Sequence, residues 1–375
     1  MYRLIMAGGG HAQLSVLKTL AQKSLGIDAV LITPNPYQIY SGMLPGWIAG
    51  HYSLSECRID LCPLAASAGV RLIFAQVVGI DAQRCRISLS DGMHLDYDGL
   101  SLDVGSEADL SLLEVAGERL LSIKPLGNFV QRWPAILNTA LQQDHYRLVV
   151  VGGGAAGVEL AFAAQYAFAT RRCKQASVVL VASEGGILPG HASGVKHRTR
   201  ALLEQRGITL YQAQAVGTLK GVVLSNGQSL LADCIIAATG ARPPAWLRNS
   251  GLALDEQGYV LVDAQHRSVS HSNIFAAGDV CMRSDIQLAH SGVHAVFAGP
   301  VLAHNLIAAI NGYTLESYRP RKKSLYLLAT GPKHAIASWG AFSAQGHWVW
   351  CWKDWIDRRF MHKNGTLNRL HNGEK

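Results

Sequence analysis

Leu148-Val149-Val150-Val151-Gly152-Gly153-Gly154-Ala155-Ala156-Gly157-Val158-Glu159 decides how this chain is read. A short apolar run ends in a glycine-rich turn, and the turn opens a helical stretch, Val158 to Ala169. Strand, turn and helix in that order form the context that turns a weak glycine pattern into a dinucleotide-binding fingerprint. Gly152 makes the tight turn, Gly154 lets backbone approach a diphosphate, and Gly157 lets the helix pack closely on the strand. Backbone N–H groups around Ala155 and Ala156 and the positive end of the helix then hold the anion.

The pattern recurs near the start of the chain, where Tyr2 to Ala7 leads into Gly8-Gly9-Gly10-His11-Ala12-Gln13. Gly8 and Gly10 fit, but Gln13 stands where the third glycine belongs. A later segment, Ile274-Phe275-Ala276-Ala277-Gly278-Asp279, ends a strand in Gly-Asp, which can present the Asp279 carboxylate to the hydroxyls of a ribityl chain. A helix starting near His290-Ser291-Gly292 can point its positive end at an electron-rich flavin edge. Two glycine turns thus predict a pair of dinucleotide cofactors.

Working outward, the first turn is followed by a helix from Ala12 to Lys23 and a strand from Ala29 to Ile32. Leu72 to Val78 and Arg86 to Leu89 read as strands, Asp91-Gly92 as a hairpin turn, and Leu100 to Val104 as a strand running into Gly105-Ser106. After the second turn come a strand at Val178 to Val181, a helix from about Gly194 to Gln205, and strands at Val222 to Leu224 and Cys234 to Ala238. The expected architecture is α/β, with two Rossmann-like domains in a glutathione-reductase-like arrangement. Residues 1–110 and 241–312 form a discontinuous FAD domain, 111–240 the NAD(P)H domain, and 313–375 a small C-terminal region.

Neither turn is followed by the usual acid at the end of the next strand. Thr33 stands there in the first unit and Ala182 in the second, with Glu184, His191, Lys196, His197 and Arg198 beyond, so the choice between NADH and NADPH stays open.

At 375 residues and 49% hydrophobic, the chain can bury two large cores. The first glycine turn begins too early to leave room for a secretion signal, and no run of 18 consecutive apolar residues occurs, so a cytoplasmic protein without a spanning helix is expected. Seven scattered cysteines fit a reducing compartment rather than a disulfide scaffold, and no metal-ligand spacing stands out.

These stretches resemble the pyridine nucleotide-disulfide oxidoreductase superfamily over essentially the whole chain to residue 310. Tyr40-Ser41-Gly42-Met43-Leu44-Pro45, Asp103-Val104-Gly105-Ser106, Gly157-Val158-Glu159-Leu160 and Ala238-Thr239-Gly240 resemble type II NADH dehydrogenases. Leu327-Leu328-Ala329-Thr330-Gly331, Ala335 to Gly340 and Trp352-Lys353-Asp354-Trp355-Ile356-Asp357-Arg358-Arg359-Phe360-Met361 are more similar to a flavoprotein found alone or as an N-terminal extension of selenophosphate synthetase (selenide, water dikinase). The resemblance implies FAD on Gly8, Gly10, His11, Ala12, Thr33, Pro45, Gly105, Gly278 and Asp279. It implies NAD(P)H on Gly152, Gly154, Ala155, Ala156, Gly157, Glu159 and Gly240, with Glu159 beside the nicotinamide. It also implies electron flow through flavin to an acceptor, a quinone in one reading and a selenium or sulfur compound in another. A flavin-bound redox sensor with negligible turnover is a third reading.

Disulfide reductases of the superfamily carry a Cys-x4-Cys pair beside the flavin, and Cys57 and Cys62 share that spacing. The pair lacks the glycines that flank it there, and two unrelated thiols are expected.

The end of the chain is distinct. From Tyr313 onward there are eleven Lys/Arg against four Asp/Glu, and five of the eight tryptophans. His347-Trp348-Val349-Trp350-Cys351-Trp352 alternates like a strand, whereas Trp352, Trp355, Ile356, Arg359 and Phe360 share a helical face. Tryptophan among basic residues suits the headgroup region of a membrane, here the inner face of the cell membrane, and equally suits a domain or homodimer interface. No recognition fold for nucleic acid accompanies the charge.

Overall fold

In the computed structural model the described residues are 1–23, 26–288, 292–321 and 323–365. Two five-stranded parallel sheets dominate. In the first, the order is Ile274–Ala276, Gly99–Leu102, Arg3–Ala7, Asp28–Ile32, Arg71–Ile73. In the second it is Leu120–Ser122, Cys234–Ala237, His145–Val151, Gln175–Ala182, Thr209–Gln212. Parallel strands need both faces covered, and the sequence supplies apolar residues throughout: Leu148, Val149, Val150, Leu180, Ile235 and Ile236 are all at most 1% exposed.

In each sheet the strand before the glycine turn is central, so both turns emerge at the middle of the carboxyl edge, where open α/β sheets bind ligands. Helix His11–Gln22 follows the first turn and helix Ala155–Thr170 the second. A long apolar helix, Gly292–Asn311, lies against the first; a Cβ on Gly299 would stand 3.1 Å from the Ala12 carbonyl oxygen, so a glycine is needed where these helices approach. Antiparallel meanders, Val77–Asp81 to His94–Asp96 and Ala215–Thr218 to Leu231, cover parts of the opposite faces.

Three local expectations change. Leu72 to Val78 divides into strands Arg71–Ile73 and Val77–Asp81, because the first joins the parallel sheet and the second pairs with Arg86–Leu89. Gly292–Asn311 is long and apolar enough to cross a membrane by length and composition; counting strictly consecutive apolar residues misses it because His294, Gly299, Pro300, His304 and Asn305 interrupt the run. Ala295, Ala298, Leu302 and Leu306 of that helix are buried in the core.

The third concerns the end of the chain. Strands Leu325–Ala329, Ala335–Trp339 and Phe342–Gly346 form an antiparallel sheet, and the chain then turns into helix His347–Gly365. His347 to Trp352 is therefore helical, and its alternation is an accident of clustered tryptophans. The buried stripe of the helix is Val349, Lys353, Asp357 and Asn364, at helical spacing, whereas Trp348 and Trp355 are more than half exposed. A polar stripe buried at a helix interface gives no hydrophobic signal, so the aromatic face misled.

Gly157 is the tightest point of the second unit. A Cβ there would collide with the Gly152 carbonyl, joining the first turn of the helix to the end of its strand. Gly157→Ala is expected to cost about 1–3 kcal/mol through overpacking and to lower Tm by several degrees in a thermal melt; an unchanged Tm would show that helix and strand can separate freely.

Candidate active site

At the first turn the controlling residue is Asp103, at the carboxyl end of the strand Gly99–Leu102. Its Oδ2 accepts from the backbone N–H of Ala12 at 2.8 Å and of Gln13 at 3.1 Å, the unpaired amides at a helix start. The carboxylate lies where a Cβ on Gly10 would go, and Oδ1 is 2.6 Å from the Cβ position of Gly278, which has φ +76°. Burial pushes the Asp103 carboxyl well above the ordinary range, against the pull of its two amide donors. Gln13, in place of the third glycine, sends its side chain to Ser101, with Nε2 donating to the backbone oxygen at 3.1 Å and to Oγ at 2.9 Å. The helix is thus tied to the neighbouring strand by a side chain rather than by close glycine packing.

The other residues expected at this turn gather around it. Gly8 has φ +93°, and its amide donates to the Ile32 carbonyl at 2.8 Å. Thr33 Oγ1 is 3.2 Å from the Cβ position of Gly9. Gly105, at φ +74°, precedes Ser106, and Ser106 Oγ and Asp279 Oδ2 both receive Lys124 Nζ, at 2.6 Å and 2.7 Å. Lys124 went unnoticed in the sequence because it belongs to no motif. Pro45 is buried in the short helix Leu44–Ile48, which packs on the second unit through Leu44 and Ile48. His290 and Ser291 lie outside the described residues.

These residues fit a flavin dinucleotide. His11 follows the turn directly, its ring 5.8 Å from Tyr40 and 5.9 Å from Phe360, and its Nε2 is shielded from water without a protein partner. Burial lowers His11 to about 4, so at neutral pH the ring carries one N–H and one lone pair, both able to meet a polar ligand. Asp279 would hold ribityl hydroxyls, and the amides preceding Ala12 would meet a diphosphate.

At the second turn no side chain caps the helix. Gly154 is the N-cap with φ −70° and ψ 179°, and no acid occupies the first turn, so the amides of Ala155 and Ala156 face an uncontested anion site. Gly152, at φ +131°, sits against the Ala238 carbonyl, and the Gly240 oxygen accepts from the Asp109 amide at 2.8 Å. This leaves the second site open beside a first site partly filled by Asp103.

The C-terminal sheet and helix together join the two. Lys353 Nζ donates to Asp357 and to the Gly42 carbonyl, each at 2.6 Å, and Tyr40 Oη donates to Asp357 at 3.1 Å. Tyr40 stacks on Phe360 with ring centres 4.4 Å apart. Glu159, on the helix of the second turn, accepts from the Ala329 amide through Oε1 at 2.7 Å. Burial raises Glu159 to about 7, opposed by the charge of Lys353 and the Ala329 amide and reinforced by Asp357. Lys353 and Asp357, four residues apart on the helix, form a buried ion pair here.

Cys57 and Cys62 are both free. The strand Arg58–Asp60 separates them, Cys57 is buried with its thiol directed to the Met43 carbonyl, and Cys62 is exposed on helix Leu61–Ser67. Extended backbone between two cysteines carries them beyond disulfide reach.

Because Glu159 has a higher pKa folded than unfolded, its contribution to stability is full below about pH 4.5 and is lost as pH rises through about 7. Solvent screening at this half-buried position leaves an effect on the order of 2 kcal/mol. Glu159→Gln is therefore expected to flatten the decline in unfolding free energy between pH 5 and 8 in denaturant titrations, and parallel curves for both proteins would refute the assignment.

The model of the pyridine nucleotide-disulphide oxidoreductase family matches residues 2–295. The ferredoxin–NAD(+) reductase component of the 3-phenylpropionate/cinnamic acid dioxygenase of Photorhabdus laumondii is 25% identical over 330 residues, 81% of this chain and 77% of that protein. An NADH dehydrogenase-like protein of Mycobacterium tuberculosis is 27% identical over 299 residues, 75% of this chain and 73% of its own. The structure of the sulfide:quinone oxidoreductase of Aquifex aeolicus aligns with a TM-score of 0.79 over 97% of this chain and 91% of its own at 16% identity, a likeness of fold. With a family match across most of its length and a glycine turn for each of two dinucleotides, the chain belongs to the pyridine nucleotide-disulphide oxidoreductases, which bind FAD and NAD(P)H.

Proposed function

We infer that the chain passes electrons from NAD(P)H through FAD to a quinone, in the manner of type II NADH dehydrogenases. Residues 1–110 and 241–312 would bind FAD, and residues 111–240 the coenzyme. The observation that carries this reading is the set of Glu159, Lys353, Asp357 and Tyr40, half-buried or buried where the C-terminal sheet and helix meet both units. FAD, when bound, supplies the hydride-accepting chemistry. A quinone takes up two protons with its two electrons, whereas a ferredoxin takes none. Glu159, near 7, can hold a proton on the oxygen that Ala329 leaves free, and Lys353 fixes the charge beside it.

Trp339, Phe342, Trp348 and Trp355, each more than half exposed on the C-terminal sheet and helix, support contact with a membrane surface where quinones reside. A homodimer through the same residues is the competing use of that surface. Reduction of a selenium or sulfur compound rests on the resemblance to the selenophosphate synthetase extension, and a redox sensor on a weak coenzyme site, because Ala182 offers the ribose hydroxyls no acceptor.

The test is anaerobic mixing with NADH or NADPH, following flavin absorbance near 450 nm, and then turnover with a short-chain quinone. Rapid bleaching and quinone turnover are expected, with Glu159→Gln slowing turnover roughly 10- to 100-fold. Replacing both Cys57 and Cys62 with serine is expected to leave turnover intact. Turnover confined to selenium or sulfur species would refute the quinone assignment, and a flavin that never bleaches would leave a sensor.

A further inference from the structure

Nicotinamide coenzymes differ only at the adenosine 2′ position, a hydroxyl in NADH and a phosphate in NADPH. In Rossmann folds that position is met at the end of the strand after the glycine turn, by an acid for the diol or an arginine for the phosphate. Here that strand ends in Ala182, whose side chain is fully buried and 2.6 Å from the Cβ position of Gly153, so it packs on the glycine turn and offers no acceptor.

The loop that follows is tied to the same turn. The Gly186 amide donates to the Ser183 carbonyl at 2.8 Å, and the Leu188 amide donates to the Gly153 carbonyl at 2.7 Å. Two donors converge on this loop. Gln212, the register partner of Ala182 on the adjacent strand, has Nε2 2.6 Å from the Cβ position of Gly186, and Arg200 Nη2, reaching in from helix Ser193–Gln205, is 3.4 Å from it. Arg200 is exposed and has no acidic partner among the described residues. Lys196 on the same helix adds to the positive field, and Glu184 is the one acid on the loop.

We propose that Arg200, with the Gln212 amide, forms a 2′-phosphate site that makes NADPH the preferred coenzyme of this chain. A guanidinium can grip a phosphate through two parallel N–H donors, whereas a ribose diol gives it no anion to hold. This inference rests on the reading of the second glycine turn as the coenzyme site, and deepens it.

Calorimetric titration of the flavin-loaded protein with adenosine 2′,5′-bisphosphate and with AMP measures the site without any redox step. The unmodified protein is expected to bind the bisphosphate at least tenfold more tightly than AMP, with Arg200→Ala bringing the two within threefold and leaving AMP unchanged. Arg200→Lys, which keeps the charge but loses the fork, should fall between. Equal affinities in the unmodified protein, or a preference that survives Arg200→Ala, would overturn the proposal. So would a loss of AMP and NADH binding in Glu184→Ala without any effect of Arg200→Ala, because Glu184 would then hold the ribose diol. If the bisphosphate preference is present but neither coenzyme bleaches the flavin, the oxidoreductase reading fails and the 2′-phosphate site stands.

Discussion

A carboxylate buried against the start of a helix organises the first half of this molecule. Asp103 takes the amides of Ala12 and Gln13 at the head of helix His11–Gln22, from the end of the neighbouring strand. The space it occupies exists only because Gly10 and Gly278 have no Cβ. One side chain therefore joins the glycine turn, the strand Gly99–Leu102 and the Gly278-Asp279 turn, which come from three distant parts of the sequence. Burying a carboxyl this deeply is costly, and two amide donors at the positive end of a helix offset that cost.

The contrast with the second turn is physical. There Gly154 begins the helix without any side-chain cap, and Gly157 alone sets the distance from helix to strand. The same glycine pattern thus leads to two electrostatic environments. At one turn a resident carboxyl shares the helix start with its surroundings, and at the other the helix start is open to an anion.

Much of this was legible in the sequence, for a definite reason. Apolar runs entering Gly8 and Gly152 report strand and turn through steric rules that need no partner, and observed strands such as Arg86–Leu89 match the expected spans closely. Pairings across long separations were less visible. Asp103 could have been suspected as an acid at the end of an apolar strand, but its role depends on two glycines far away. Lys124 reaches Asp279 across 155 residues and follows no motif. At the C-terminus, the tryptophans drew attention to one face of a helix, while the face that packs holds Lys353 and Asp357. Hydrophobic periodicity reports where apolar surface is, and it is silent where a helix docks through ions.

That docking sets a timetable for assembly. Tyr40 and Gly42 find their partners, Asp357 and Lys353, more than 300 residues later in the chain, and the first sheet lacks an edge until Ile274–Ala276 is made. During synthesis the first glycine turn therefore leaves the ribosome long before the segments that enclose it. Until residues 347–365 emerge, the ring of His11 lacks Phe360 on one side and stands open to the cell. The aromatic wall that Phe360 gives His11 is thus among the last parts of the first unit's surroundings to be synthesised.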